Sequence, residues 1–210
     1  MFEERFVSTN IPYKVIGGVN FYARREIKDL LAYLRTIENG RDDLAVRRII
    51  NVPKRGIGLT SINRVQEYAL QKETGFYEAL LAADLIPGIG RALSKLESFV
   101  ALIEHFKEEA GRLTPLALLT DIIETLDYEN YLEEIDMEDA ESRIENIEEL
   151  KSKLASYEES CEEAGEQPTL SGFLEEVALV ADIDNLDEES DYVVLMTLHS
   201  AKGLEFSYVF

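Results

Sequence analysis

The sequence predicts a mainly α protein, a helical body set into an α/β sheet that keeps one strand near each end of the chain. Three observations predict it. Apolar residues recur three and four apart through most of the 210 residues, the spacing of amphipathic helices. Only two short runs, Tyr13 to Ile16 and Tyr192 to Met196, are β-rich and too short for helices. These runs stand near opposite ends, with about 170 residues of helical pattern between them, as expected of a helical domain inserted into a loop of a sheet.

The elements follow in order. Tyr13 to Ile16 is a strand closed by the turn signal Gly17-Gly18. Ile27, Leu30, Leu31, Leu34 and Ile37 form one apolar stripe on a helix from about Arg24 to Ile37, stopped by Asn39-Gly40. Leu44 to Ile50 is a second helix, ended by Pro53. Thr60 is the expected cap of a third, with Ile62, Val65 and Ala69 inward, and Thr74 the expected cap of a fourth through Leu81. Pro87-Gly88-Ile89-Gly90 is a turn before a helix running to about Glu109. Thr114-Pro115 places a cap and a first-turn proline before a helix to Leu126. Ile144, Ile147, Leu150, Leu154, Tyr157 and Cys161 mark one long amphipathic helix over Ala140 to Glu163. Thr169 caps the last helix, with Phe173, Leu174, Val177 and Val180 inward, and the acidic loop Asp182 to Asp191 leads into the final strand.

Charge is divided along the chain. The net charge is −21, which alone argues against nucleic acid. Residues 1–64, however, hold 12 basic and 7 acidic side chains, whereas the remainder holds 9 basic and 35 acidic. A local contact surface on an acidic body has this asymmetry, and so does a solvated acidic protein with a basic first third. No apolar run approaches the ~20 residues of a spanning helix, so no membrane partner is expected. Cys161 stands alone, so no intramolecular disulfide forms, and a reducing, cytoplasmic setting is expected.

Two kinds of site stand out. Gly56-Ile57-Gly58 follows Pro53-Lys54-Arg55 and precedes Thr60. A Gly-x-Gly turn before a helix leaves backbone amides uncovered beside the helix's own unpaired donors. Phosphate oxygens fill such amides, and Lys54 and Arg55 add charge without reading any base. The plain alternative is a tight helix–helix turn needing positive φ. Gly88-Ile89-Gly90-Arg91 repeats the pattern with one immediate cation. At the far end, the strand Tyr192 to Met196 breaks into a polar cluster of Thr197, His199, Ser200, Lys202 and Glu205 around Gly203, the layout of a ligand site at the rim of a parallel sheet. Glu205 is placed to accept from a ribose hydroxyl; as surface groups, Lys202 and Glu205 would instead form a pair of little value. One His without a second His or Cys nearby is not a metal site. Arg24, Arg25 and Lys28, with Glu26 and Asp29 interleaved, read as the polar face of the first long helix.

Thr197-Leu198-His199-Ser200-Ala201-Lys202-Gly203-Leu204-Glu205-Phe206 resembles the fifth motif of superfamily-one DNA helicases of the UvrD/PcrA/Rep type. Ile11 to Gly18, Phe21 to Asp29 and Asn51 to Gly58 agree with that family in the same order, and Arg143 to Leu150 also fits, so the resemblance spans nearly the whole chain. It implies that residues 1–19 and 191–210 are remnants of the RecA-like 2A subdomain, and that 20–190 is the helical 2B subdomain interrupting it. The implied parent is an ATP-dependent 3′–5′ DNA helicase, moving on single-stranded DNA and unwinding duplex in repair or replication. Its implied cofactors are ATP and Mg²⁺, none of them expected on this chain alone, and its implied partners are DNA and the other subdomains 1A, 1B and 2A. By resemblance, Glu205, Lys202 and Gly203 face the nucleotide, and Thr197 and His199 approach the DNA backbone. Lys54, Arg55, Gly56, Ile57, Gly58 and Thr60 contact duplex ahead of the fork. Gly88, Gly90 and Arg91 resemble the hairpin of a helix-hairpin-helix unit. The Phe21 to Asp29 block sits at the 2A–2B junction, in a structural and hinge role.

Ser207-Tyr208 and the acidic back half depart from the family's usual pattern. No Gly-x-x-x-x-Gly-Lys-Ser/Thr occurs in the chain, and the family's arginine-bearing sixth motif belongs beyond Phe210. The chain alone is therefore expected neither to hydrolyse ATP nor to unwind DNA. Two other readings compete: a protein-interaction module that uses the acidic helix Asp139 to Glu163, and part of a RecB/AddA-like helicase-nuclease. Self-association through the two terminal strands is also open.

Overall fold

The computed structural model describes residues 5–6, 9, 11, 13–16, 21–183, 192–196, 198–203, 205–206 and 208–210. In chain order the elements are β1 (Tyr13–Ile16), α1 (Arg25–Glu38), α2 (Asp43–Ile49), α3 (Leu59–Lys72), α4 (Phe76–Leu81), α5 (Leu93–Ala110), α6 (Pro115–Thr125), α7 (Tyr128–Ile135), α8 (Ala140–Ala164), α9 (Leu170–Ile183), β2 (Val193–Met196) and α10 (Leu198–Ala201). Short 3-10 turns cover Phe21–Ala23, Ala83–Leu85 and Gly90–Ala92. The mainly α class is as the sequence predicts. Two compact units result: Met1–Arg24 with Glu175–Phe210, and Arg25–Leu174. Those divisions fall within α9 and after Arg24; the family resemblance implied subdomain boundaries at about 19 and 190.

In the first unit, β1 and β2 pair in parallel, with Tyr13 opposite Val193 and Ile16 opposite Met196. A parallel pair cannot be joined by a tight turn and needs a crossover between its strands. Here the crossover contains the whole helical body. The strands from the two ends of the chain thus pair with each other, the arrangement expected of an insertion into a sheet. Tyr13 is fully buried, and its ring lies 5.7 Å from that of Phe6.

In the helical unit, α1 is central. It packs against α2, α5 and α8. Ten of its fourteen residues are buried, among them Leu30, Tyr33 and Leu34. The single apolar stripe read from its sequence is therefore too narrow: neighbours on several sides bury polar positions as well. Glu26 and Asp29, expected on a solvated face, are 5% and 3% exposed. Buried carboxylates need partners. Asp29 accepts from Arg48 Nε at 2.6 Å and from the Tyr128 hydroxyl at 3.1 Å. Glu26 accepts from Asn146 Nδ2 at 2.7 Å. These bonds tie α1 to α2, α7 and α8. Burial raises the Asp29 carboxyl above its ordinary range, outweighing the opposing pull of the Arg48 charge.

The cap at Thr114 is present, its hydroxyl accepting from Ala117 N at 3.3 Å with Pro115 at the first position. Thr169 likewise accepts from Gly172 N at 3.1 Å. Thr60 and Thr74 are not caps. Gly58 and Gly75 hold those positions, each one or two residues from the expected threonine. The first amide of α4 is instead met by Asp43 Oδ1, 2.8 Å from Phe76 N. On α8, Ile147, Leu150 and Leu154 are buried, while Ile144, Tyr157 and Cys161 are half-buried. Towards its C-terminal end α8 meets the start of α9, where Tyr157 and Phe173 stand 5.7 Å apart. Phe173 and Val177 are buried, and the Val180 side chain lies outside the described residues.

Candidate nucleic-acid interface

The loop Asn51–Gly58 connects α2 to α3 and is organised from within. Asn51 Nδ2 donates to Ile57 O at 2.6 Å, and Ile57 N donates to Asn51 Oδ1 at 3.0 Å, so one side-chain amide closes the loop as a paired strand would. Ile57 is 3% exposed and anchors the turn in the core. Arg55, expected to face outward, turns into the loop. Its Nη1 donates to Ile49 O at 2.8 Å, Val52 O at 3.1 Å and Pro53 O at 3.3 Å. Its Nη2 donates to the Tyr33 hydroxyl at 2.6 Å, and its Cζ lies 5.3 Å from the centre of the Phe99 ring. The Tyr33 hydroxyl in turn donates to Val52 O at 2.5 Å. Burial pushes the Tyr33 hydroxyl up to about 12, despite the guanidinium beside it. The guanidinium is thus committed to the loop's own carbonyls, which leaves Lys54 as the exposed cation of the pair.

The turn after Lys54 has the positive φ named above for a tight helix–helix turn. Gly56 is at φ +67°, a conformation open to glycine and strained for other residues. Gly58 is the N-cap of α3 and offers no side-chain acceptor. The first amides of this 14-residue helix, at Leu59 and Thr60, therefore have no side-chain cap, while Ser61 N donates to Gly58 O at 2.9 Å. Thr60 lies in the first turn of that helix and is exposed.

The second turn has a parallel form. Gly88 is at φ +72° and Gly90 at φ +52°, while the central Ile89 is 7% exposed and anchored like Ile57. The 3-10 turn Gly90–Ala92 leads directly into α5, and Arg91 is exposed. Among the described residues, neither Lys54 nor Arg91 has a side-chain partner. The structure brings the two turns together. Arg64 of α3 donates through Nη1 to Gly88 O, and Lys95 of α5 donates through Nζ to Gly56 O at 2.8 Å. Sequence reasoning missed both residues. They carry a signal nonetheless, since each is a cation five or six residues after its own Gly-Ile-Gly turn.

The first unit carries the other candidate cluster. Thr197 lies outside the described residues, and His199 lies in α10. Lys202 and Gly203 form the turn after α10, with Gly203 at φ +87°. Lys202 and Glu205 are both exposed and form no ion pair with each other. Among the described residues no group of three His, Cys, Asp or Glu fits a metal ion, and no helix is long and apolar enough to cross a membrane.

A helical body inserted in sequence between two strands of one parallel ladder, with two positive-φ glycine turns joined through Arg64 and Lys95, is the arrangement of an insertion domain. The chain belongs to the UvrD-like helicase C-terminal domain family, whose model matches residues 1–210. It is 43% identical over 208 residues to the ATP-dependent DNA helicase PcrA of Staphylococcus aureus, covering 99% of this chain and 28% of that protein. Its identity to the PcrA of Staphylococcus epidermidis is 42% over the same length. The chain thus spans between a quarter and a third of the curated relatives it matches.

Proposed function

We propose that this chain is the 2B subdomain, with short 2A flanks, of an ATP-dependent 3′–5′ DNA helicase of replication or repair, acting in the cytoplasm. Its own task is to hold duplex DNA through backbone phosphates and so set the position of the motor subdomains 1A, 1B and 2A. Strand separation needs ATP and Mg²⁺ in the parent. Here Glu205 supplies an acceptor for the ribose, Lys202 and Gly203 shape the loop beside it, and family resemblance assigns Thr197 and His199 to the DNA backbone. The chain by itself lacks the phosphate-cradling loop and does not hydrolyse ATP.

The observation that carries the reading is the N-terminus of α3, without a side-chain cap, preceded in the chain by positive-φ Gly56 and exposed Lys54. Contacts of this kind are independent of base sequence and sensitive to salt. Fluorescence anisotropy with a tailed duplex tests it. Lys54→Glu is expected to weaken binding about tenfold and to lower the slope of log K against log salt by ~0.9, the value of one phosphate contact. Unchanged affinity and slope would overturn the reading. The competing use, an acidic face for a basic protein partner, rests on the 35 acidic residues beyond position 64. It predicts capture of a basic partner that Lys54→Glu does not weaken.

A further inference from the structure

Arg64 and Lys95 are exposed, yet each ends on a backbone carbonyl of the turn belonging to the other's helix. Lys95 follows the second turn and holds Gly56 of the first. Arg64 follows the first turn and holds Gly88 of the second. A Cβ added at Gly56 would lie 2.9 Å from Lys95 Nζ, and one added at Gly88 would lie 3.2 Å from Arg64 Cζ, so both cations sit directly against the positive-φ glycines. Surface hydrogen bonds of long cationic side chains contribute little to folding. Their placement here has another consequence. A carbonyl at the mouth of an anion site presents a negative dipole to any incoming phosphate. A cation bound to that carbonyl cancels the dipole and leaves further N–H donors on the ammonium or guanidinium for the phosphate itself.

We infer that Arg64 and Lys95 are positioning residues that brace the two Gly-Ile-Gly turns crosswise into one two-point phosphate grip, each preparing the turn it reaches rather than the turn it follows. The inference rests on the duplex-binding reading above and adds to it both the second turn and the crossed dependence. Because Lys95 serves the Lys54 turn, their losses overlap. Because Arg64 serves the Arg91 turn, theirs overlap in the same way. The uncrossed pairs act on different turns and are independent.

The test is a set of double-variant cycles on tailed-duplex binding by the full chain, using anisotropy over a salt series. Lys95→Met and Lys54→Gln are expected to overlap, the double variant losing no more than about threefold beyond the worse single one. Arg64→Met and Arg91→Gln are expected to behave alike. Lys95→Met with Arg91→Gln, and Arg64→Met with Lys54→Gln, are expected to multiply their losses. Lys95→Arg and Arg64→Lys, which retain a donor, restore most of the affinity. A general role in folding would give neither the crossed pattern nor rescue. Losses that multiply in all four pairs, or methionine variants that bind like the unmodified chain, would overturn the brace. Silence of Arg91→Gln alone would overturn the two-point grip and leave the first-turn reading standing, whereas silence of both Lys54→Gln and Arg91→Gln would overturn duplex binding itself. If the methionine variants lose their helical circular dichroism, the same four cycles are built on Lys95→Gln and Arg64→Gln, which remove the charge and keep a polar side chain: overlap confined to the crossed pairs supports the brace, and multiplication in all four pairs overturns it.

Discussion

Lys54 and Arg55 are adjacent and both basic, yet they occupy opposite sides of one loop. Arg55 has a planar fork of donors, which matches the converging carbonyls of Ile49, Val52 and Pro53 and the Tyr33 hydroxyl. Lys54 has a point charge on a flexible stem and remains exposed. The two substitutions should therefore separate stability from binding. Arg55→Met leaves several carbonyls and a buried hydroxyl without their donor, and is expected to cost ~3 kcal/mol of unfolding free energy in a urea titration. Lys54→Gln should change stability by less than ~0.5 kcal/mol, as surface substitutions generally do. Equal losses from the two would show that the loop is not built around the guanidinium. The sequence displayed two cations beside a glycine turn. It did not display which one turned inward, because that depends on Tyr33 and Phe99, more than twenty and forty residues away.

At the scale of elements, local chemistry was legible where it was complete within a few residues. Thr114-Pro115 signalled its helix start because hydroxyl, proline and the following amide all lie within one turn. The strand Tyr13–Ile16 and the long helix α8 were legible from their spacing. Thr60 and Thr74 misled because glycine also occupies N-caps, and a nearby threonine looks like the better candidate. The helix α7 escaped notice within an acid-rich stretch, since only Tyr128 and Leu132 of its eight residues are buried, too few to display a period. The difference between real and apparent caps is measurable. Thr114→Ala should cost about 1 kcal/mol. Thr60→Ala, at an exposed position inside its helix, should leave thermal stability within ~0.5 kcal/mol. A Thr60→Ala loss as large as that of Thr114→Ala would return the cap to Thr60.

At the scale of the whole molecule, the two ends of the chain share one parallel ladder, and a complete helical body lies between them. Insertion was legible from the placement of two short β runs. The burial of Glu26 and Asp29 was not, because it arises only when α2, α7 and α8 close over α1. That closure gives the helical unit a core of its own, with Leu30, Tyr33, Leu34, Phe99, Phe106 and Ile147 all fully buried. The buried carboxylates of Glu26 and Asp29 also find their partners inside the unit, on Arg48, Tyr128 and Asn146. Residues 25–174 carry both glycine turns together with Arg64 and Lys95. A unit with a core of its own, and with its buried Glu26 and Asp29 paired internally, should fold without the strands that flank it. Residues 25–174 expressed alone are therefore expected to melt in one cooperative helical transition and to keep tailed-duplex binding within about threefold of the full chain, since each cation of the proposed grip is retained. A broad, non-cooperative melt would show that the strand pair completes the helical core. A cooperative melt with duplex binding abolished would place the DNA-binding surface in the strand-bearing unit instead.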